Sequence, residues 1–267
     1  MGRQGSGTPV RLLDEDEPSA VIAENEAGRS AFVITCDHAG NRMPRRLGTL
    51  GLAAADLERH IAWDIGAAAV SSRLATMLDA VLIRQTYSRL VIDCNRAPDA
   101  PSSIVEISEA TPIPGNAGLS AAAREARRRE VFEPYHRRIA RELDARQDAS
   151  RPTVLLALHS FTPVFKGVSR PWQCGVLYNR DPRLARIVGD LLRERGLAVG
   201  DNEPYAVSDE TDYTIPVHGE RRGLPHLELE IRQDLIAAAD AQREWAELLA
   251  LLLPEAWRQL ASSSGKS

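Results

Sequence analysis

Two histidines occupy positions from which a side chain could hold a metal ion. His38 follows the apolar run AFVITC at 31–36 and is preceded by Asp37, and His159 follows TVLLAL at 153–158. An imidazole at a strand end either ligates a metal or satisfies a loop carbonyl. Two of them at two strand ends bring a shared metal level with the structural alternative. Glu228 and Glu230, two apart in the apolar stretch 225–231, project to the same side of a strand. They cannot both be buried as ions unless a cation lies beside one of them; the alternative is a solvated strand face paired with Arg232. Asp64 shares the apolar stripe of Leu57, Ile61 and Ala68, where a carboxylate needs a metal or an arginine. Asn41 is the other candidate third ligand, although amide oxygens bind zinc poorly. Arg89 stands just before the run 90–94, and Asn95 and Arg96 just after it. A guanidinium fork suits a carboxylate; otherwise Arg89 simply pairs with Asp93. His218, before Gly219, is a further polar candidate, His60 reads as solvated, and His136 reads as core or site.

These residues need strands and helices to bring them together. The apolar runs at 31–36, 80–85, 90–94, 153–158, 173–178 and 225–231 read as strands. Helical patterns cover 53–78, 120–146 (Val131, Phe132, Tyr135, Ile139 and Leu143 on one face), 181–195 closed by Gly196, and 233–260. The proline-rich segment 98–118 reads as a long loop. Strands alternating with helices predict a mainly parallel sheet covered on both faces, with ligands at the carboxyl ends of its strands. His38, Asn95-Arg96, His159 and the two glutamates would then meet at one end.

Composition bounds the alternatives. The chain has 267 residues, 43% hydrophobic and 26% charged, enough for a sizeable core and incompatible with wholesale disorder. Aromatics are only 5%, so the core is aliphatic. A net charge of −4 carries no nucleic-acid footprint. Cys36, Cys94 and Cys174 are widely spaced and read as reduced, buried thiols in a cytoplasm. Residues 1–24 lack the apolar core of a secretory signal, and no apolar stretch is long enough to span a bilayer. Residues 1–25 are expected as a flexible arm, 26–260 as one catalytic domain, and 261–267 as a tail. No dinucleotide or Walker fingerprint and no Gly-x-Ser-x-Gly elbow is present.

Several segments together carry a family resemblance: CDHAGNRMP at 36–44, WDIG at 63–66, YSRLVIDCNR at 87–96, LHS at 158–160, Tyr213-Thr214 with His218-Gly219, and LELEIRQDL at 227–235. In this order they resemble the N-formylglutamate amidohydrolases, over about residues 30–260. The resemblance implies an α/β fold like that of the zinc carboxypeptidases and aspartoacylase: a mixed, largely parallel sheet sandwiched between helices. It implies one Zn2+ per chain, with His38 and His159 as ligands. The related enzymes carry a Glu three residues after the first His; Asn41 stands there, so the third place passes to Asp64. It further implies Asn95 and Arg96 on the substrate carboxylate, Arg89 on the scissile carbonyl and Glu230 as base, with Tyr213, His218 or the 98–118 loop closing the pocket. The implied substrate is a small N-formyl or N-acyl amino acid, cleaved at its linear amide. The alternatives are a carboxypeptidase or peptidoglycan-type amidase with the same zinc site, and a carboxylate-binding protein without catalysis. The partner expected is this small molecule, with neither nucleic acid nor membrane, and the oligomeric state is left open.

Overall fold

Alternation of apolar residues along each strand buries two faces at once, and the helices sort themselves accordingly. The computed structural model describes residues 10–264. Residues 1–9 of the expected arm and 265–267 of the expected tail lie outside the described residues. Seven strands, β1 (Val21–Glu24), β2 (Phe32–Cys36), β3 (Val81–Gln85), β4 (Val154–Phe161), β5 (Cys174–Leu177), β6 (Val199–Asp201) and β7 (His226–Arg232), form one sheet in the order β1-β3-β2-β4-β7-β5-β6. The four central strands β3, β2, β4 and β7 run parallel; β1 and the β5–β6 pair run antiparallel to them. The sheet is therefore mixed and largely parallel, as expected.

Phe32, Ile34, Leu82, Leu156, Leu158, Leu227 and Leu229 face the helices α2 (Ala67–Leu78), α5 (Arg183–Glu194) and α6 (Ala239–Ser264). The intervening residues Val33, Val81, Ile83, Leu155 and Ala157 face Val131, Phe132, Tyr135, Ile139 and Leu143. Val131 and Phe132 lie in the π turn Arg128–Phe132 that joins α3 (Ala121–Arg127) to α4 (Glu133–Asp148), and α4 carries the other three. On this second face the period of two continues past the apolar part into polar residues at the carboxyl ends. Thr35 leads to Asp37, Ala157 to His159, and β7 presents Glu228 and Glu230; all are buried. That change of character, within an unbroken strand, creates the site.

Three expectations differ from the structure. The helix expected over 53–78 is broken: α1 (Ala54–Leu57) stops and α2 begins only at Ala67. Gly66 has φ +81°, and a Cβ there would sit 2.2 Å from the Ile236 carbonyl oxygen, so the break is built into the chain. Asp64 lies in this break, its N–H donating to the His38 carbonyl at 2.9 Å. Leu90–Cys94 forms no strand. Its apolar side chains are buried, but side chains turn the backbone: Ser88 Oγ accepts from Leu90 N at 3.1 Å and Asp93 Oδ1 from Asn95 N at 2.9 Å. Val21–Glu24, inside the segment expected as an arm, is an edge strand on β3, and Leu12 and Ala20 before it are buried.

The 88–118 segment has only a two-residue hairpin for regular strand pairing. It is moored by Arg127 of α3, a guanidinium 1% exposed, which donates to the Val91 carbonyl (2.9 Å) and to Asn116 Oδ1 (2.7 Å). Among the described residues no helix is long and apolar enough to cross a membrane.

Candidate metal centre

His38 and His159 arrive from the ends of adjacent parallel strands, and Asp64 enters from the helix break. Gly40, two residues after His38, passes so close to the Thr86 carbonyl that a Cβ would lie 2.1 Å from its oxygen. This fixes the turn that aims His38 inward. The two imidazoles meet edge to face with centroids 5.0 Å apart. Asp64 Oδ2 lies between them, 3.3 Å from His38 Nδ1 and 2.9 Å from His159 Nδ1. One ligand atom from each of the three residues falls within 4.8 Å of the others, and all three side chains are buried.

The far nitrogen of each imidazole faces a second carboxylate. His38 Nε2 is 2.7 Å from Asp93 Oδ1, and His159 Nε2 is 3.2 Å from Asp37 Oδ2, close but without hydrogen-bond alignment. A carboxylate behind a ligating imidazole fixes its tautomer and orientation. Asp37 is held in turn on its other oxygen by the Tyr135 hydroxyl (2.6 Å) and the Thr214 hydroxyl (2.9 Å). Asp93 is gripped by Arg89 through Nε (3.1 Å) and Nη2 (2.7 Å).

Electrostatics fit a divalent ion. Burial opposes ionisation of Asp64, but His38 and His159 outweigh it and hold the carboxyl far below its usual range. Burial opposes the charge on Asp37 too; His159, His38 and Tyr135 bring it to about 2. For Asp93 burial is overcome by Arg89 and His38. Both imidazoles are pushed above their ordinary value against burial, His38 by Asp93 and Asp64, His159 by Asp37 and Asp64. Three buried aspartates thus face one guanidinium, and the remaining two positive charges can come from two imidazoliums or from one divalent cation bound to neutral imidazoles. The group can therefore bind a metal, with a ligand set of two nitrogens and a carboxylate of the kind catalytic zinc takes.

A cavity of about 420 Å³ opens onto the group. Glu230 lies beside His159 in the parallel register of β7 and β4. Its Oε2 and that of Glu228 are buried without hydrogen-bond partners. Burial pushes Glu230 up to about 7, against the pull of His159. Burial, then Asp212, pushes Glu228 well above its ordinary value. Both line the cavity, as do Arg89 and Arg96. Arg89 is thus at once a wall residue and the partner of Asp93, the pairing anticipated as its structural alternative. Arg96 donates from Nη1 to the Asn95 carbonyl at 2.9 Å, and its Nε and Nη2 make no hydrogen bond.

Other expected residues sit elsewhere or are already engaged. Asn95 touches the cavity, but its amide is used within the protein: Nδ2 donates to Asp212 (3.2 Å) and Oδ1 accepts from the N–H groups of Tyr213 and Thr214 (3.0 Å each). Tyr213 and His218 do not line the cavity. With His136 they line a second one, of about 320 Å³, where His136 and His218 stack with Nδ1 and Nε2 3.0 Å apart. Asn41 faces outward, donating to the Leu57 carbonyl at 3.4 Å and to the Glu58 carboxylate at 3.3 Å, and is not in the metal group. His60, expected in solvent, is half-buried at the cavity, 3.4 Å from Glu109. Sequence reasoning did not find the supports Asp37, Tyr135, Thr214 and Asp212. Only Asp37 had a local signal, its place beside His38 on a strand end.

The model of the N-formylglutamate amidohydrolases matches residues 30–237. Among solved structures, the Agrobacterium tumefaciens gene product Atu2144 is 39% identical with a TM-score of 0.91, over 94% of this chain and 100% of that one. An N-formylglutamate amidohydrolase from Ralstonia eutropha JMP134 shares the fold at 19% identity and a TM-score of 0.67, over 91% of this chain and 100% of that one. No curated protein matches the sequence. Matched across most of its length by that model, the chain belongs to the N-formylglutamate amidohydrolase family.

Proposed function

We propose that the chain hydrolyses the amide bond of an N-formyl or N-acyl amino acid, with zinc held by His38, Asp64 and His159, giving the free amino acid and a carboxylic acid. The observation that carries this reading is the pair of carboxylate-backed imidazoles sharing Asp64, with the unpartnered Glu230 carboxyl in register beside His159. A bound zinc would supply Lewis acidity, making a water more acidic and the acyl carbonyl more electrophilic.

The chain's own groups do the rest. Arg96, with Nε and Nη2 free, takes the substrate carboxylate in its fork. Asn95 keeps that fork in place by tying the chain at Asp212, Tyr213 and Thr214. Glu230 accepts a proton from the water that attacks the acyl carbon, then delivers it to the amine nitrogen as the C–N bond breaks. Arg89, anchored on Asp93 with Nη1 3.5 Å from Asp64, keeps positive potential beside the oxyanion.

Protein purified without added metal is expected to carry about one zinc per chain and to hydrolyse N-formyl amino acids. Glu230→Gln is expected to keep the zinc and lower kcat by ~10²-fold or more with KM little changed. Glu228→Gln should cost much less. Metal-free protein that binds such substrates without cleaving them, even after zinc is supplied, would make the chain a carboxylate-binding protein. A dead Glu228→Gln beside an active Glu230→Gln would move the base to the other glutamate.

A further inference from the structure

The cavity wall speaks to the side chain of the substrate. Among the described residues, the guanidinium groups lining the cavity are those of Arg89 and Arg96, and no lysine lines it. They are not equivalent. Arg89 has two nitrogens on Asp93 and the third 3.5 Å from Asp64, so it has no open fork to offer a second carboxylate. Arg96 retains two free nitrogens, with Asp212 3.5 Å from Nη1. One fork is open, and one carboxylate can fill it.

The rest of the wall adds no third guanidinium and no lysine; its uncharged polar groups include the hydroxyls of Ser102, Ser108, Ser160, Thr162 and Thr211, and the His60 imidazole already faces Glu109 at 3.4 Å. Arg170 lies just behind the wall, 9% exposed, with its guanidinium carbon 4.7 Å from the ring centroids of Phe165 and Tyr205 and 5.8 Å from that of Phe161. It also donates to the Tyr205 hydroxyl at 2.8 Å. Its charge is held against ring faces, and the three rings, not the guanidinium, line the cavity. Ile61 and Val105 extend the apolar surface. On the polar side stand Asp212, Glu228 and Glu230, the glutamates with unpartnered buried oxygens. An anionic side chain entering here would lose water, face carboxyl oxygens and meet neutral hydroxyls but no open guanidinium or lysine, a combination that selects against it.

We propose that the amino acid taken by this site carries an uncharged, apolar or aromatic side chain in place of a second carboxylate. The proposal rests on the amide-hydrolase reading above. Its physical content is one free guanidinium fork for the α-carboxylate and a wall of aromatic and aliphatic carbon, clamped from behind by Arg170, for the side chain.

The test compares kcat/KM of the zinc-loaded enzyme on N-formyl-L-leucine, N-formyl-L-phenylalanine, N-formyl-L-glutamine and N-formyl-L-glutamate. Glutamine and glutamate derivatives differ by little except charge, so their ratio isolates the missing cation. The leucine or phenylalanine derivative is expected to lead, and the glutamine derivative to exceed the glutamate derivative by about tenfold or more. The free amino acids, run as competitive inhibitors, should follow the same order. A glutamate derivative equal to or better than the glutamine and leucine derivatives overturns the proposal and leaves the amide-hydrolase reading standing. Hydrolysis of none of the four overturns both.

Discussion

Removing a single oxygen, in Tyr135→Phe, tests whether the carboxylates behind the imidazoles matter to the metal. The Tyr135 hydroxyl donates at 2.6 Å to Asp37 Oδ1, which also accepts from Thr214 at 2.9 Å, while Oδ2 of the same carboxylate faces His159 Nε2 at 3.2 Å. Both Tyr135 and Asp37 are essentially unexposed, so no water replaces the lost donor without rearrangement. Phenylalanine keeps the ring and its packing. A hydrogen bond to a buried charged group is worth roughly 1.5–3 kcal/mol, and for a chain of this size each kcal/mol moves Tm by about 2–4 °C. The metal-free variant is therefore expected to unfold about 5 °C lower. Loosening Asp37 also loosens the ring of His159, and loss of such an outer partner lowers metal affinity about 10–100-fold. Tyr135→Phe, which leaves Thr214 in place, belongs at the lower end of that range, and Asp37→Asn at the upper end. A chelator-competition titration of zinc on folded protein, run beside thermal unfolding of the metal-stripped form, separates the two effects. A variant that loses stability yet binds zinc as tightly as the parent would refute the claim that Asp37 orients His159.

Three further outcomes follow from the geometry. Asp64→Ala should abolish tight zinc binding while Asn41→Ala leaves it unchanged, because Asn41 is tied to Leu57 and Glu58 outside the metal group; the same chelator titration ranks them. Arg96→Lys keeps the charge but loses the fork, so kcat/KM should fall for substrates with a free carboxylate and change little for amide-blocked ones, which steady-state kinetics on both will show. The buried His136–His218 pair is depressed by burial to about 4 and about 3. Both imidazoles are neutral in the folded and unfolded chain above their ordinary pKa near 6.5, so their contribution is fully present there. Below it the unfolded chain takes up protons that the folded chain refuses, and stability should fall as pH drops from about 6.5 toward 4, by up to about 1.4 kcal/mol per pH unit per histidine. Urea midpoints across that range should show a shallower fall in His218→Leu than in the parent.

The central strands were legible because fully buried parallel strands write themselves as unbroken aliphatic runs, and His38 and His159 because they end two such runs. Where backbone hydrogen bonds go to side chains, the same signal misleads. Leu90–Cys94 is as apolar as a strand, but Ser88 and Asp93 cap its amides and turn it. Asp64 belongs to no helical stripe, since it lies in the break before α2. A carboxylate among apolar neighbours needs a partner whichever element carries it, and Asp64 faces His38, His159 and Arg89. Tyr213 and Thr214 are adjacent in sequence, yet Thr214 donates to Asp37 behind His159 while Tyr213 lines the second cavity with His218, which follows in the turn Ile215–Gly219. Contacts such as Tyr135 to Asp37, 98 residues apart, leave no local pattern to read.

The mooring of the 88–118 segment by Arg127 divides the site by mechanical support. His38, His159 and Glu230 are fixed by the sheet and can be released only as its ladder opens. Arg89, Asp93 and Arg96 ride on a segment with little regular pairing, tied instead by the Arg127 guanidinium, by Asn95 and by single backbone bonds to Arg42, Ala62 and Leu50. Such a segment is expected to open at less free energy than the sheet, which hydrogen exchange would show as earlier exchange of its amides. A metal held by His38 would bear on the segment through Asp93, so loading the centre would slow that opening. On the reading proposed above, the residues that meet the substrate ride on this segment and those that would hold the metal stand on the strands and the helix break, so a change in the first need not rebuild the second.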